Sequence, residues 1–110
     1  MWVFTMEGWW SREELGPLSS DLIKVMAEQL SVAESDIDFS IQDLDDGQIQ
    51  LTWVVSGTKE IANKMQKLTF RDEVKNRLNA NPGIAAALTA RPEKGETFIN
   101  FWVSTAKFFQ

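Results

Sequence analysis

The sequence predicts an α+β domain, a ferredoxin-like two-layer sandwich of order β-α-β-β-α-β with a four-stranded antiparallel sheet and helices on one of its faces. Three observations predict it. Four short stretches alternate apolar and polar residues, the mark of strands with one buried face. Apolar stripes spaced three and four residues apart separate the first stretch from the second and the third from the fourth. The second and third stretches are joined by a segment of turn formers, Asp43-Leu44-Asp45-Asp46-Gly47, which reads as a hairpin.

In the first strand, residues 2–7, Trp2, Phe4 and Met6 share one side and Val3, Thr5 and Glu7 the other. Gly8 ends it. Ser11-Arg12-Glu13-Glu14 resembles a capping box, but Gly16-Pro17 follows within about a turn and is expected to interrupt a helix begun there. The long first helix is therefore placed from near Pro17, with Leu15, Leu18, Leu22, Met26 and Leu30 as its stripe. Ile37, Phe39 and Ile41 alternate with Asp38, Ser40 and Gln42 in the second strand. Ile49, Leu51, Trp53 and Val55 alternate with Gln50, Thr52 and Val54 in the third.

Thr58 is a fitting N-cap for the next helix. Ile61, Met65 and Leu68 share one face and Phe70, Val74 and Leu78 nearly the opposite one, so a break is expected near Leu68-Thr69. That gives helices over about 58–68 and 70–79, with Thr69 able to cap the second. Asn81-Pro82-Gly83 reads as a turn, 84–88 as a short helical turn, and 91–95 as a loop. The fourth strand is sought within Thr97 to Phe109, where Ile99, Phe101 and Val103 alternate with Phe98, Asn100 and Trp102.

Composition limits the function. The chain's 110 residues, 44% of them hydrophobic, suit a single domain spanning 1–110. It contains neither Cys nor His, which removes disulfides, thiolate chemistry, the usual neutral-pH acid/base and the commonest metal ligand. The carboxylate pairs Glu13/Glu14, Asp45/Asp46 and Asp72/Glu73 are sequence neighbours with no sign of convergence, and no phosphate-binding glycine loop is present. The balance is against an enzyme; no catalytic residue, metal ligand or cofactor is assigned. The net charge is −5, with acids concentrated in 7–46 and bases in 59–77, an asymmetry suited to head-to-tail association or to an oriented partner. This balance and the lack of a basic, aromatic-interleaved stretch argue against nucleic acid. No apolar run reaches the ~18–20 residues of a membrane span, and nothing marks the compartment.

The hairpin turn fails as an EF-hand loop. Counted from Asp43, Gly47 falls at the fifth position, Gln48 at the sixth and Val54 at the twelfth, where an acid, Gly and Glu are wanted. The element order, the helix ending Ala27-Glu28-Gln29-Leu30-Ser31-Val32 and the Gly-led third strand resemble SEA-like domains of the ferredoxin-like type. The resemblance spans about residues 2–109 and implies an extracellular or cell-surface interaction module. Self-cleaving members break the chain between Gly and Ser at this turn; here Gln48 follows Gly47 and supplies no hydroxyl nucleophile, so the resemblance implies a non-cleaving copy.

The function expected is that of a non-catalytic protein-interaction or assembly domain. Its site is the sheet face opposite the helices, with Thr5, Thr52, Val54 and Trp102 as binding residues. Trp10 joins them, because adjacent Trp9 and Trp10 on an extended chain cannot both point inward. The partner is a protein or a second copy of the chain, with a carbohydrate stacking on an exposed indole as a lesser alternative. The competing readings are an accessory subunit of a larger complex and a small-ligand or enzymatic module. The latter has its pocket between the sheet and the broken second helix, lined by Trp53, Phe70 and Met65.

Overall fold

A computed structural model describes residues 2–88 and the strand residues 100–102. The elements run β1 (Trp2–Gly8), α1 (Arg12–Leu15), a 3-10 turn (Gly16–Leu18), α2 (Ser19–Leu30), a second 3-10 turn (Glu34–Asp36), β2 (Ile37–Asp43), β3 (Ile49–Val55), α3 (Lys59–Met65), α4 (Leu68–Ala80), α5 (Pro82–Leu88) and β4 (Asn100–Trp102). The class is α+β, and its centre is an antiparallel sheet of three long strands. β3 lies between β2 and β1, with Phe39 opposite Trp53 on one side and Phe4 opposite Trp53 on the other. The three residues of β4 pair antiparallel with β1, giving the order β2-β3-β1-β4. The remainder of the expected fourth strand, and the loop over 91–95, lie outside the described residues.

One face of the sheet is the core. Phe4, Met6, Ile49, Leu51, Trp53 and Val55 are buried there against Leu15, Leu22, Met26 and Leu30 on the first helical run and Met65, Phe70, Val74 and Leu78 on α3 and α4. Phe4 meets Trp53 edge-on at 5.8 Å and Phe70 at 5.6 Å, the arrangement the ring quadrupoles prefer. The β2–β3 hairpin closes through Leu44, whose N–H donates to the Gln48 carbonyl at 2.9 Å; Gly47 sits at φ 88°, as the sequence requires.

The helices depart from expectation in three places. A four-residue helix does begin after Ser11, because Gly16 keeps right-handed helical angles and the chain merely tightens to 3-10 geometry around Pro17 before α2 starts at Ser19. Ser11 makes no side-chain cap; its carbonyl accepts the Leu15 N–H at 3.0 Å. The break in the second helical region falls at Gln66-Lys67, earlier than expected, with Lys67 and not Thr69 at the cap position. Leu68 therefore opens α4 instead of closing α3 and is 73% exposed, off the Met65 face. Finally, Asn81-Pro82-Gly83 starts a helix. The Asn81 side-chain oxygen accepts the Gly83 and Ile84 N–H groups at 3.0 and 3.2 Å, and Pro82 takes the first position, where its missing donor is harmless.

Candidate functional site

Strand alternation sends the other half of each strand to the far side of the sheet, and among the described residues no helix packs on it. Directly opposed pairs define this face: Val3 with Val54, Thr5 with Thr52, Glu7 with Gln50, and then Asp38, Ser40 and Gln42 of β2 beside Val54, Thr52 and Gln50. The surface therefore grades along β1 and β3 from an apolar Val pair through a Thr pair to an acid–amide pair. Gln50 donates to Glu7 at 2.9 Å, and the Thr52 hydroxyl donates to the Gln50 amide oxygen at 3.4 Å, which binds the polar end into a short ladder. Asp38, Ser40 and Gln42 are exposed, while Val3, Glu7, Gln50, Thr52 and Val54 are half-buried.

The binding residues expected from the sequence divide into two groups. Thr5, Thr52 and Val54 do share this face, and the register sets position 102 opposite Thr5. Thr5 itself, on a strand with a neighbour on each side, is only 7% exposed. Trp10 belongs elsewhere. It is 3% exposed and packs beneath Gly8, where a Cβ would stand 2.4 Å from its ring. The chain turns out of β1 at this point, so the simple rule of opposite sides ceases to hold, and Trp10 enters the core while Trp9 is left half-buried beside Gly47.

The pocket proposed between the sheet and the second helical region is filled. Trp53, Phe70 and Met65 are core residues in contact with Phe4 and α2, and the Trp53 indole N–H is satisfied by the Leu22 carbonyl at 3.0 Å. A groove of about 550 Å³ instead lies outside the helices, between Glu13, Glu14, Pro17 and Leu18 on one side and Gly83, Ala86 and Ala87 on the other. It has two carboxylates and no base, nucleophile or buried polar group with which to orient a small substrate.

At the hairpin, Asp46 spends its carboxylate on its own loop, accepting the Gln48 backbone N–H at 3.0 Å and the Gln48 side-chain amide at 2.6 Å. No three acidic side chains converge on a metal position among the described residues, and none of the described helices is long and apolar enough to cross a membrane. A contact absent from the sequence reading appears at the sheet's edge. Arg12 donates to the Ile41 carbonyl at 2.6 Å and its Nε lies 3.3 Å from the Asp43 carboxylate. No family model matches the chain, and no curated protein or solved structure matches it.

Proposed function

We infer that this chain is a non-catalytic protein-interaction or assembly domain, ferredoxin-like and of the SEA-like, non-cleaving kind, which docks a protein partner on its open sheet face. The observation that carries the reading is the one-sided layering. Every described helix serves one face of the sheet, and the other presents the half-buried Val3, Val54 and Thr52 around the nearly buried Thr5, a patch with little charge beside an acid–amide rim. The central places of β1 and β3 in the order β2-β3-β1-β4 support the ferredoxin-like reading. Gln48 after Gly47, with its amide held by Asp46, supports a hairpin that stays intact.

The charges on the face, Glu7 and Asp38, are both acidic, so the partner that fits has an apolar centre and a basic rim. Val54→Arg puts a cation in the apolar pair and Trp102→Ala removes the bulk at the position opposite Thr5. Both are expected to weaken partner capture from the native source by tenfold or more, on the order of the cost of one central interface residue, with unchanged circular dichroism. Capture that survives both substitutions at full strength overturns the reading.

A further inference from the structure

The outer edge of β2 has a use distinct from that of the open face. Backbone direction along β2 follows from two bonds: Ser56 donates to the Asp36 carbonyl, and Leu44 donates to the Gln48 carbonyl, each at 2.9 Å. In an antiparallel ladder these fix the even-numbered residues of β2 as those bonded to β3. The N–H and C=O groups of Phe39, Ile41 and Asp43 therefore point outward. Arg12 confirms the parity by reaching an outward carbonyl, that of Ile41. Among the described residues, it is the one side chain seen holding this edge.

We propose that the β2 edge pairs with the β2 edge of a second copy of this chain, antiparallel about a two-fold axis at Ser40, and that Arg12 is the latch that limits this pairing. Strand chemistry selects the copy as the occupant. In the register centred on Ser40, Phe39 meets Ile41 of the second copy and exchanges both backbone bonds with it, an aromatic against a β-branched side chain. Asp38 meets Gln42 of the second copy, a carboxylate against an amide. Ile37 meets Asp43, and Asp36 meets Leu44, so no acid faces an acid. Moving the axis to Asp38 or Asp43 puts that aspartate opposite its own copy, at a cost for like charges. Moving it to Phe39 avoids that cost but sets Ser40 against Asp38, so a lysine at 40 would strengthen pairing there and weaken it about Ser40. An edge this acidic thus repels itself about Asp38 and Asp43 and pairs cleanly about Ser40.

The latch has to open for pairing, because the Ile41 carbonyl held by Arg12 is the one that Phe39 of the second copy needs. Arg12 and Asp43 are both largely exposed, with side chains 50% and 70% accessible, so their bond is weak enough to be displaced. A single strand-to-strand seam is smaller than a standard interface, and the dimer is accordingly a weak, concentration-dependent one.

Sedimentation equilibrium of the full chain over a wide concentration range tests this with three substitutions. Gln42→Lys faces Asp38 of the second copy and is expected to raise the association constant about threefold or more, while Ser40→Lys faces its own copy and lowers it by a similar factor. Both add one positive charge to an acidic protein, so a change in net charge alone moves them in the same direction. Arg12→Ala removes the latch and raises association about threefold to tenfold. The proposal is overturned if wild type and Arg12→Ala both stay monomeric throughout, or if the two lysine variants shift together. Self-association abolished by Val54→Arg but indifferent to Ser40→Lys also overturns it, and leaves the open-face reading standing.

Discussion

The indole N–H of Trp53 donates to the carbonyl oxygen of Leu22 at 3.0 Å, tying the middle of the central strand β3 to α2 through a buried hydrogen bond. Phe4 and Phe39 flank the same indole, so the residue combines aromatic packing with a buried polar tie between sheet and helix. Trp53→Phe leaves the Leu22 carbonyl with one partner fewer and a small void. The loss of stability expected is about 2 kcal/mol, read as a lower urea midpoint at unchanged slope.

Leu68 and Phe70 stand two residues apart on α4 and test where the helical phase changes. Phe70 is 2% exposed and Leu68 73%. Phe70→Ala is expected to cost about 3–5 kcal/mol and Leu68→Ser less than about 0.5 kcal/mol. Comparable losses at both positions place the break after Leu68 and disprove the phase seen here. Thermal unfolding of the two variants suffices.

Ser31 ends α2 in the left-handed region at φ 56°, and the following residue, Val32, donates to the Ala27 carbonyl at 3.0 Å. This is a Schellman-type end, a position that favours Gly. The left-handed cost for a residue with a Cβ outweighs the extra unfolded-state freedom of Gly. Ser31→Gly is therefore expected to stabilise the fold by about 0.5–1 kcal/mol, seen as a rise in Tm.

Gly8 lies so close to Trp10 that a methyl group there requires the indole to move, since the ideal Cβ falls 2.4 Å from a ring carbon. Gly8→Ala is expected to destabilise by about 1–3 kcal/mol and to shift tryptophan emission to longer wavelength as Trp10 gains water. A variant with native stability and emission shows that Trp10 does not need its place under Gly8.

The strands were legible because alternation is a local signal that tertiary packing reinforced. Phe4 and Met6, then Ile49, Leu51, Trp53 and Val55, face the core as their spacing predicts, and Asp46-Gly47 turns where its chemistry suits it. Helix ends were less legible. Gly16-Pro17 and Asn81-Pro82-Gly83 read as breakers, yet both lie inside or at the start of helical runs, because a Pro near a helix start loses nothing and Gly16 is held in helical angles within the run from α1 to α2. Thr5, Thr52 and Val54 were correctly grouped by parity, whereas Trp10 was misplaced, since parity ends where a strand ends. The Arg12–Ile41 contact joins residues whose nearness depends on which strand is outermost, and no sequence spacing carries that information.

β1 sits between partners that are distant along the chain: Trp2 lies opposite Val55, and Thr5 opposite both Thr52 and Trp102. Neither of its edges is satisfied by a neighbouring segment, so its pairing bears the loop-closure entropy that slows folding of non-local sheets. On a ribosome adding about 5–20 residues per second, α2 and the β2–β3 hairpin emerge whole while β1 still lacks its β4 neighbour for several seconds. In that interval an apolar ribbon containing Trp2, Phe4 and Met6 has one edge open.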